Sequence, residues 1–204
     1  IPQARPVQYE GTVDLPLDPY LVGVLLGDGG LSNLSVMLST DSEIVDALVL
    51  PSGCEAVIAV AHSDTYNEYR IKGLRKHLKA MGLVGKRSED KFIPQQYLYA
   101  SVESRVALLQ GLLDTDGSAN SNRGGAPGPA VEYGTVSEVL AAQVTELVQS
   151  LGGTVGATTR NPWYTYKGER RYGQKFYRLR IKFGEGITPF RLKRKLAGWT
   201  SATK

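Results

Sequence analysis

The sequence predicts an α+β protein built from two related halves, and three observations lead there. Two apolar helical runs, residues 20–29 and 109–117, each carry a Gly in the middle and end in an Asp followed directly by Gly. After each run come short stretches that alternate apolar and polar residues, the period of half-buried strands. Basic residues are also gathered in two places. Residues 70–91 hold eight and residues 160–204 hold thirteen, so 21 of the 24 Lys and Arg follow one run or the other.

Residues 1–14 have no strong period and read as an N-terminal arm. Asp18-Pro19 then starts a helix, with Asp as N-cap and Pro at the first helical position. It runs to about Asp28, where Gly29-Gly30 stops it. Leu34, Val36 and Leu38 alternate as a strand, with room for one more strand after Gly30. Asp41-Ser42-Glu43 opens a short helix, and 56–61 follows as an apolar strand. In the next strand Tyr66, Glu68, Arg70 and Lys72 face one way and Asn67, Tyr69 and Ile71 the other. Leu74, Leu78 and Met81 share one face of a basic helix that Gly82 ends.

Residues 85–100 carry no clear period and join the halves. Ser101 caps the second motif helix, 102–115, and the polar, Gly-rich 117–128 is expected to form a mobile hairpin before a strand at 131–135. Ser137 caps a helix with Val139, Leu140, Val144, Leu147 and Val148 on its apolar face. Strands are expected at 154–159 and 175–183. In the latter Tyr177, Leu179, Ile181 and Phe183 oppose Arg178, Arg180 and Lys182. A basic helix at 189–197 closes the chain. The element order of the first half returns in the second, which fits an old internal duplication. The expected division is an arm at 1–14, halves at 15–91 and 101–204, and a linker at 92–100.

Composition narrows the function. With 204 residues, 42% hydrophobic and 22% charged, the chain is an ordinary globular protein. No apolar run approaches the roughly 20 residues a membrane helix needs, and an intracellular, cytoplasmic location is expected. Cys54 is the single cysteine, which excludes an internal disulfide framework, and with His62 and His77 it makes no zinc pattern. Any metal must be held mainly by oxygen. The net charge of +4 is modest, but its clustering supplies two basic surfaces.

The repeated motif carries the chemistry. Gly23 and Gly111 weaken their helices by about 1 kcal/mol relative to Ala, a cost that makes sense where another backbone must come close. If the two helices pack on one another, Asp28 and Asp116 meet at one edge. A carboxylate at a helix C-terminus is disfavoured by the macrodipole, and two together raise at least one pKa. Divalent metal relieves both, and carboxylates, free carbonyls and water suit Mg²⁺. Such a metal pair can stabilise the attacking and leaving oxygens of phosphodiester hydrolysis. Asp114 matches Leu26 in register, so its role is structural.

The paired stretches resemble the two signature motifs of single-chain LAGLIDADG homing endonucleases, especially those embedded in inteins. Leu109-Gln110-Gly111-Leu112-Leu113-Asp114-Thr115-Asp116-Gly117 is the closer copy. The first has Leu26 and Gly27 where the family often has an acid and a small residue, and it keeps Asp28. Lys91-Phe92-Ile93-Pro94 resembles the block between motifs, and Phe190-Arg191-Leu192-Lys193-Arg194-Lys195 the closing part of intein endonucleases.

The resemblance implies two pseudo-symmetric αββαββα halves packed through the motif helices, with two antiparallel sheets making a saddle over DNA. By position, Asp28 and Asp116 bind divalent metal, assisted by the carbonyls of Gly27 and Thr115. Lys91 becomes the active-site lysine of the first half; for the second, the register favours Lys204 over Lys193 and Lys195. Arg70, Lys72, Arg178, Arg180 and Lys182 then meet base edges or phosphates, joined by Arg123 from the hairpin.

The function expected is a monomeric, site-specific endonuclease that makes a double-strand break in a long DNA target with Mg²⁺, for which Mn²⁺ can substitute. The partner is double-stranded DNA, and the chain is expected to be part of a larger intein-containing precursor. The alternatives are a non-cleaving DNA-binding module or an RNA maturase on the same fold, and a purely structural assembly part.

Overall fold

The computed structural model describes residues 4–10, 13–31, 36–120, 128–184 and 186–200. At its centre lies α1 (Pro19–Gly27), whose start is fixed by the Asp18 carboxylate accepting from the Leu21 N–H at 3.1 Å. Every residue from Tyr20 to Leu26 is buried, and a helix apolar on all sides belongs inside a protein.

Its partner is α5 (Val102–Asp116), capped by Ser101 accepting from the Ser104 N–H at 3.2 Å. The two helices touch backbone to backbone. A Cβ on Gly23 would lie 2.2 Å from the Leu108 carbonyl oxygen, and one on Gly111 2.3 Å from that of Tyr20. The glycines therefore permit the packing that the duplicated motif suggested.

In the first half, β1 (Val36–Asp41), α2 (Ser42–Asp46), β2 (Glu55–Ala61), β3 (Tyr66–Lys72) and α3 (Arg75–Ala80) follow α1. The strands form an antiparallel sheet in the order β1-β3-β2. A short 3₁₀ turn (Ser88–Asp90) and α4 (Gln95–Leu98) occupy the connection, where the sequence suggested bare linker. The buried Tyr97 ties it down: its hydroxyl donates to the Leu17 carbonyl at 2.9 Å and accepts from the Leu17 N–H at 3.0 Å.

The second half continues with β4 (Gly117–Asn120), β5 (Ala130–Thr135), α6 (Glu138–Ser150), β6 (Thr154–Arg160), β7 (Trp163–Tyr166), β8 (Glu169–Tyr172), β9 (Phe176–Lys182) and α7 (Lys193–Ala197). Its main sheet has the order β4-β5-β9-β6, so β5-β9-β6 repeats the connectivity of β1-β3-β2. The fourth strand, β4, has its counterpart in the antiparallel bridge between Gly30 and Met37. The two pseudo-symmetric halves thus meet through their motif helices.

Alternation sorts the strand residues as expected. Asn67, Tyr69 and Ile71 of β3 and Leu179 and Ile181 of β9 are buried, while Arg70, Lys72, Arg178, Arg180 and Lys182 are exposed. Three expectations change. Val139 faces solvent on α6, because the apolar stripe runs through Leu140, Ala141, Val144, Leu147 and Val148. The closing helix is shorter, since the 189–192 stretch before it is held by other contacts. The β7–β8 hairpin has no counterpart in the sequence reading, since both of its faces are wet and no apolar alternation marks it.

The N-terminal arm is packed rather than loose where it is described. The Val7 N–H donates to Ser150 O at 2.8 Å, and the buried Arg105 side chain binds the carbonyls of Val7, Ala100 and Ser150 while stacking 4.7 Å from the Tyr9 ring.

Gly23→Ala or Gly111→Ala should force the motif helices apart. We expect a loss of about 2 kcal/mol or more on denaturant melting, since overpacking against backbone outweighs the roughly 1 kcal/mol gain in helix propensity. Unchanged stability in both variants would contradict this packing.

Candidate active site

Because α1 and α5 cross at their glycines, their C-terminal ends share one edge of the interface. Asp28 is the C-cap of α1, and Asp116 is the last residue of α5. A helix end leaves carbonyls without partners and a partial negative charge, and here a buried lysine answers each end.

Lys91, 6% exposed, donates from Nζ to the Gly27 carbonyl at 2.7 Å. Lys195, 9% exposed, donates to the carbonyls of Leu113, Asp114 and Thr115 at 3.0, 2.6 and 3.0 Å. The two lysines therefore occupy corresponding places at the two motif helices. Lys204 lies outside the described residues. Lys193 is exposed, with its Nζ 3.8 Å from Glu43. The sequence held one signal for Lys195: it lies three residues after the buried Leu192, on the inner face of α7.

Both lysines are positioned from the second half. The Ser137 hydroxyl, which also caps α6, donates to the Lys91 carbonyl at 2.7 Å. The Gln143 side chain clamps Ile93 at 2.7 and 3.0 Å. Lys195 depends on Asp114, whose carboxylate accepts from the Tyr20 hydroxyl at 2.8 Å and from the backbone N–H groups of Arg191 and Leu192 at 3.1 Å. Leu192 is the N-cap of α7. Asp114 thus holds the start of the helix that carries Lys195, a structural role in keeping with its Leu26 counterpart.

The charges disturb one another in the expected directions. Lost hydration pushes the Asp116 carboxyl up to about 6, and the neighbouring Asp28 adds to this; Lys91 and Lys195 pull the other way. Burial also raises Asp28, opposed by a hydrogen bond with Thr40 and by the same lysines. Burial lowers Lys91 and takes Lys195 down to about 8, against the pull of both carboxylates. Although the carboxyl of Asp116 lies among many protein atoms, the residue is open to solvent on one side. Water reaching that side screens it.

No group of three or more His, Cys, Asp and Glu side chains suited to a metal occurs among the described residues. Two carboxylates with helix-end carbonyls nevertheless fit a hard cation that keeps several waters, and their mutual repulsion is what such a cation removes. A cleft of about 610 Å³ adjoins Asp28, lined also by Thr40, Asp41, Glu43, Thr115 and Arg194.

The basic strands flank this site. Arg180 and Lys182 are exposed on β9, while Arg178 is paired with Glu132. In the first sheet Lys72 is 2.8 Å from Glu55, and Arg70 is exposed beside it on β3. Arg123 lies outside the described residues.

Comparison with known proteins bears on this arrangement. Residues 103–186 match the family described as LAGLIDADG-like domain. The match begins in α5 and extends past β9, so it covers the second motif helix and the sheet behind it. Over 153 residues the chain is 32% identical to a replicative DNA helicase DnaB of Mycobacterium intracellulare, a match covering 72% of this chain and 22% of that protein. Against a DnaB of Nostoc sp. it is 35% identical over 97 residues, 48% of this chain and 11% of the relative. The chain thus spans less than a quarter of the length of these relatives. Among solved structures, a variant of I-DmoI with its target DNA in the presence of 2 mM Mg superposes with a TM-score of 0.48 at 16% identity, covering 82% of this chain and 89% of that one. No described helix is long and apolar enough to cross a membrane.

A pH test follows from Asp116. A carboxyl raised from its ordinary 3.8 to about 6 favours the fold while protonated. In metal-free protein that contribution is complete below about pH 4 and is lost as pH rises through about 6. Denaturant melts at pH 5 and 7 should show Asp116→Asn gaining stability relative to wild type as pH rises. A difference independent of pH would contradict the coupling.

Proposed function

We propose that this chain is a site-specific DNA endonuclease that makes a double-strand break by divalent-metal-dependent phosphodiester hydrolysis. The observation that carries the reading is the pair Asp28 and Asp116 at adjoining helix ends, with a buried lysine at each end. One carboxylate and one lysine from each half form a two-fold set, which suits a reaction done once on each strand of a duplex.

Asp28 and Asp116 would hold Mg²⁺ or Mn²⁺, with the carbonyls of Gly27 and Thr115 nearby. When bound, the cation supplies charge stabilisation at the attacking and leaving oxygens. Lys91 and Lys195 keep positive charge beside the two carboxylates, where they can neutralise the charge growing on a phosphate. We assign the second lysine role to Lys195, in place of Lys204. The low position of Lys195, about 8, leaves it largely protonated at neutral pH and able to give up a proton.

Arg70 and Lys72 from one sheet and Arg178, Arg180 and Lys182 from the other would track phosphates and base edges, with Arg123 contributing from the β4–β5 connection. The clustered charge makes binding strongly salt-dependent. Both motifs lie in one chain, so the active unit is a monomer, with halves at 15–91 and 101–204 joined by 92–100. The partial matches to DnaB helicases support an insertion carried within a helicase, an intein-containing precursor that acts on host DNA inside the cell.

The test is a plasmid carrying the uninterrupted helicase-gene site, with and without Mg²⁺. Linear product should appear with metal alone. Asp28→Asn or Asp116→Asn should slow cutting at least about a thousandfold, the loss of several kcal/mol of transition-state stabilisation, while binding persists. Lys195→Met should cost about a hundredfold in rate and Lys204→Ala should cost little. Binding without cleavage under any divalent metal would overturn the endonuclease assignment.

A further inference from the structure

The two halves differ most in the link between their last two strands. In the first half β2 and β3 are joined by residues 62–65 alone, a turn organised by Asn67 accepting from the His62 N–H at 2.8 Å. The matching link in the second half is residues 161–175, which contain the β7–β8 hairpin. Its neck is closed by the Gly173 N–H donating to Pro162 O at 2.8 Å, so the ribbon leaves the main sheet as a separate arm.

All eight strand residues of this arm are exposed. Strand register puts Trp163, Thr165, Arg170 and Tyr172 on one face and Tyr164, Tyr166, Glu169 and Arg171 on the other. Each face holds an arginine against an aromatic ring: Arg170 lies 4.2 Å from Trp163 and Arg171 4.6 Å from Tyr166. The turn is Lys167-Gly168, both at positive φ (50° and 80°), as a tight hairpin requires.

A two-stranded ribbon wet on both sides is marginal by itself, and four exposed large aromatic side chains on it mark a contact surface. Its charge identifies the partner. Lys167, Arg170 and Arg171 outweigh Glu169, and the arm opens from Arg160 and returns through Lys175 to the basic face of β9. A stacked guanidinium keeps N–H donors free at its edge for phosphate. A two-stranded ribbon is also an element that the major groove admits.

We propose that residues 161–175 form a DNA-contacting arm that lies along the duplex beyond the reach of the main sheet, on the side of the second half only. The proposal rests on the DNA-binding reading above and adds a polarity to it. A four-residue strand at about 3.3 Å per residue reaches roughly 13 Å, about four base pairs at 3.4 Å each. The contact with DNA is therefore longer on one flank by about that much.

The experiment uses two variants. In one, Pro162 and Gly173 are joined through Asn-Gly in place of residues 163–172; in the other the ribbon is kept and carries W163A, R170A and Y172A, all at exposed positions. Hydroxyl-radical footprints are read on a duplex that the wild-type protein enriches from a random pool. Salt dependence is read on an unrelated duplex. Loss of about four base pairs of protection on one flank is expected from the shortened protein. Its log–log salt slope should fall by about two to three, for three cations at about 0.9 each. The triple variant should weaken binding about tenfold or more. Unchanged footprint length and salt slope would overturn the arm while leaving DNA binding intact, as would a ribbon that docks a protein instead. Failure of the wild-type protein to bind any duplex would overturn both.

Discussion

The backbone contact between Gly23 and Gly111 is the constraint on which the rest depends. With no side chain between them, the two motif helices close to a separation at which a single Cβ would overlap a carbonyl oxygen. That closeness decides where the helix ends fall. At the last turn a Cβ on Gly27 would overlap the Thr115 hydroxyl, so the two ends are in contact as well. Asp28 and Asp116 then share one field instead of lying in separate halves.

Two unfavourable placements follow, and each has its compensation. Carboxylates at helix C-termini oppose the dipoles, and burial raises both of their pKa values. Buried lysines are also costly, yet Lys91 and Lys195 find carbonyls at the helix ends and the attraction of the neighbouring carboxylates. The set is stable as a group and poorly stable in parts. Perturbed groups that lean on one another in this way are what a reactive site requires. Asp114 shows how little the symmetry needs to be kept: in the second half it fastens the segment before α7, and in the first half Leu26 is simply core.

Much of this could be read from residue order. Strand alternation predicted which side of β3 and β9 is basic, and the small residue within each motif predicted the helix contact. Lys195 could not be singled out, because it stands in a Lys-Arg-Lys run whose neighbours are solvated. Only its spacing from Leu192 separates it from them. The β7–β8 arm was invisible for a different reason: a ribbon exposed on both faces has no apolar side, so it leaves no period in the sequence. Its Trp, Tyr and Arg content was visible, but composition alone does not specify pairing.

The most direct test of a composite site is to locate the ion. Crystals of the protein grown with Mn²⁺ and a bound duplex would show anomalous scattering at the metal. The expected result is a peak bonded to carboxylate oxygens of both Asp28 and Asp116. An ion held by one of these carboxylates alone, or found elsewhere in the protein, would contradict it.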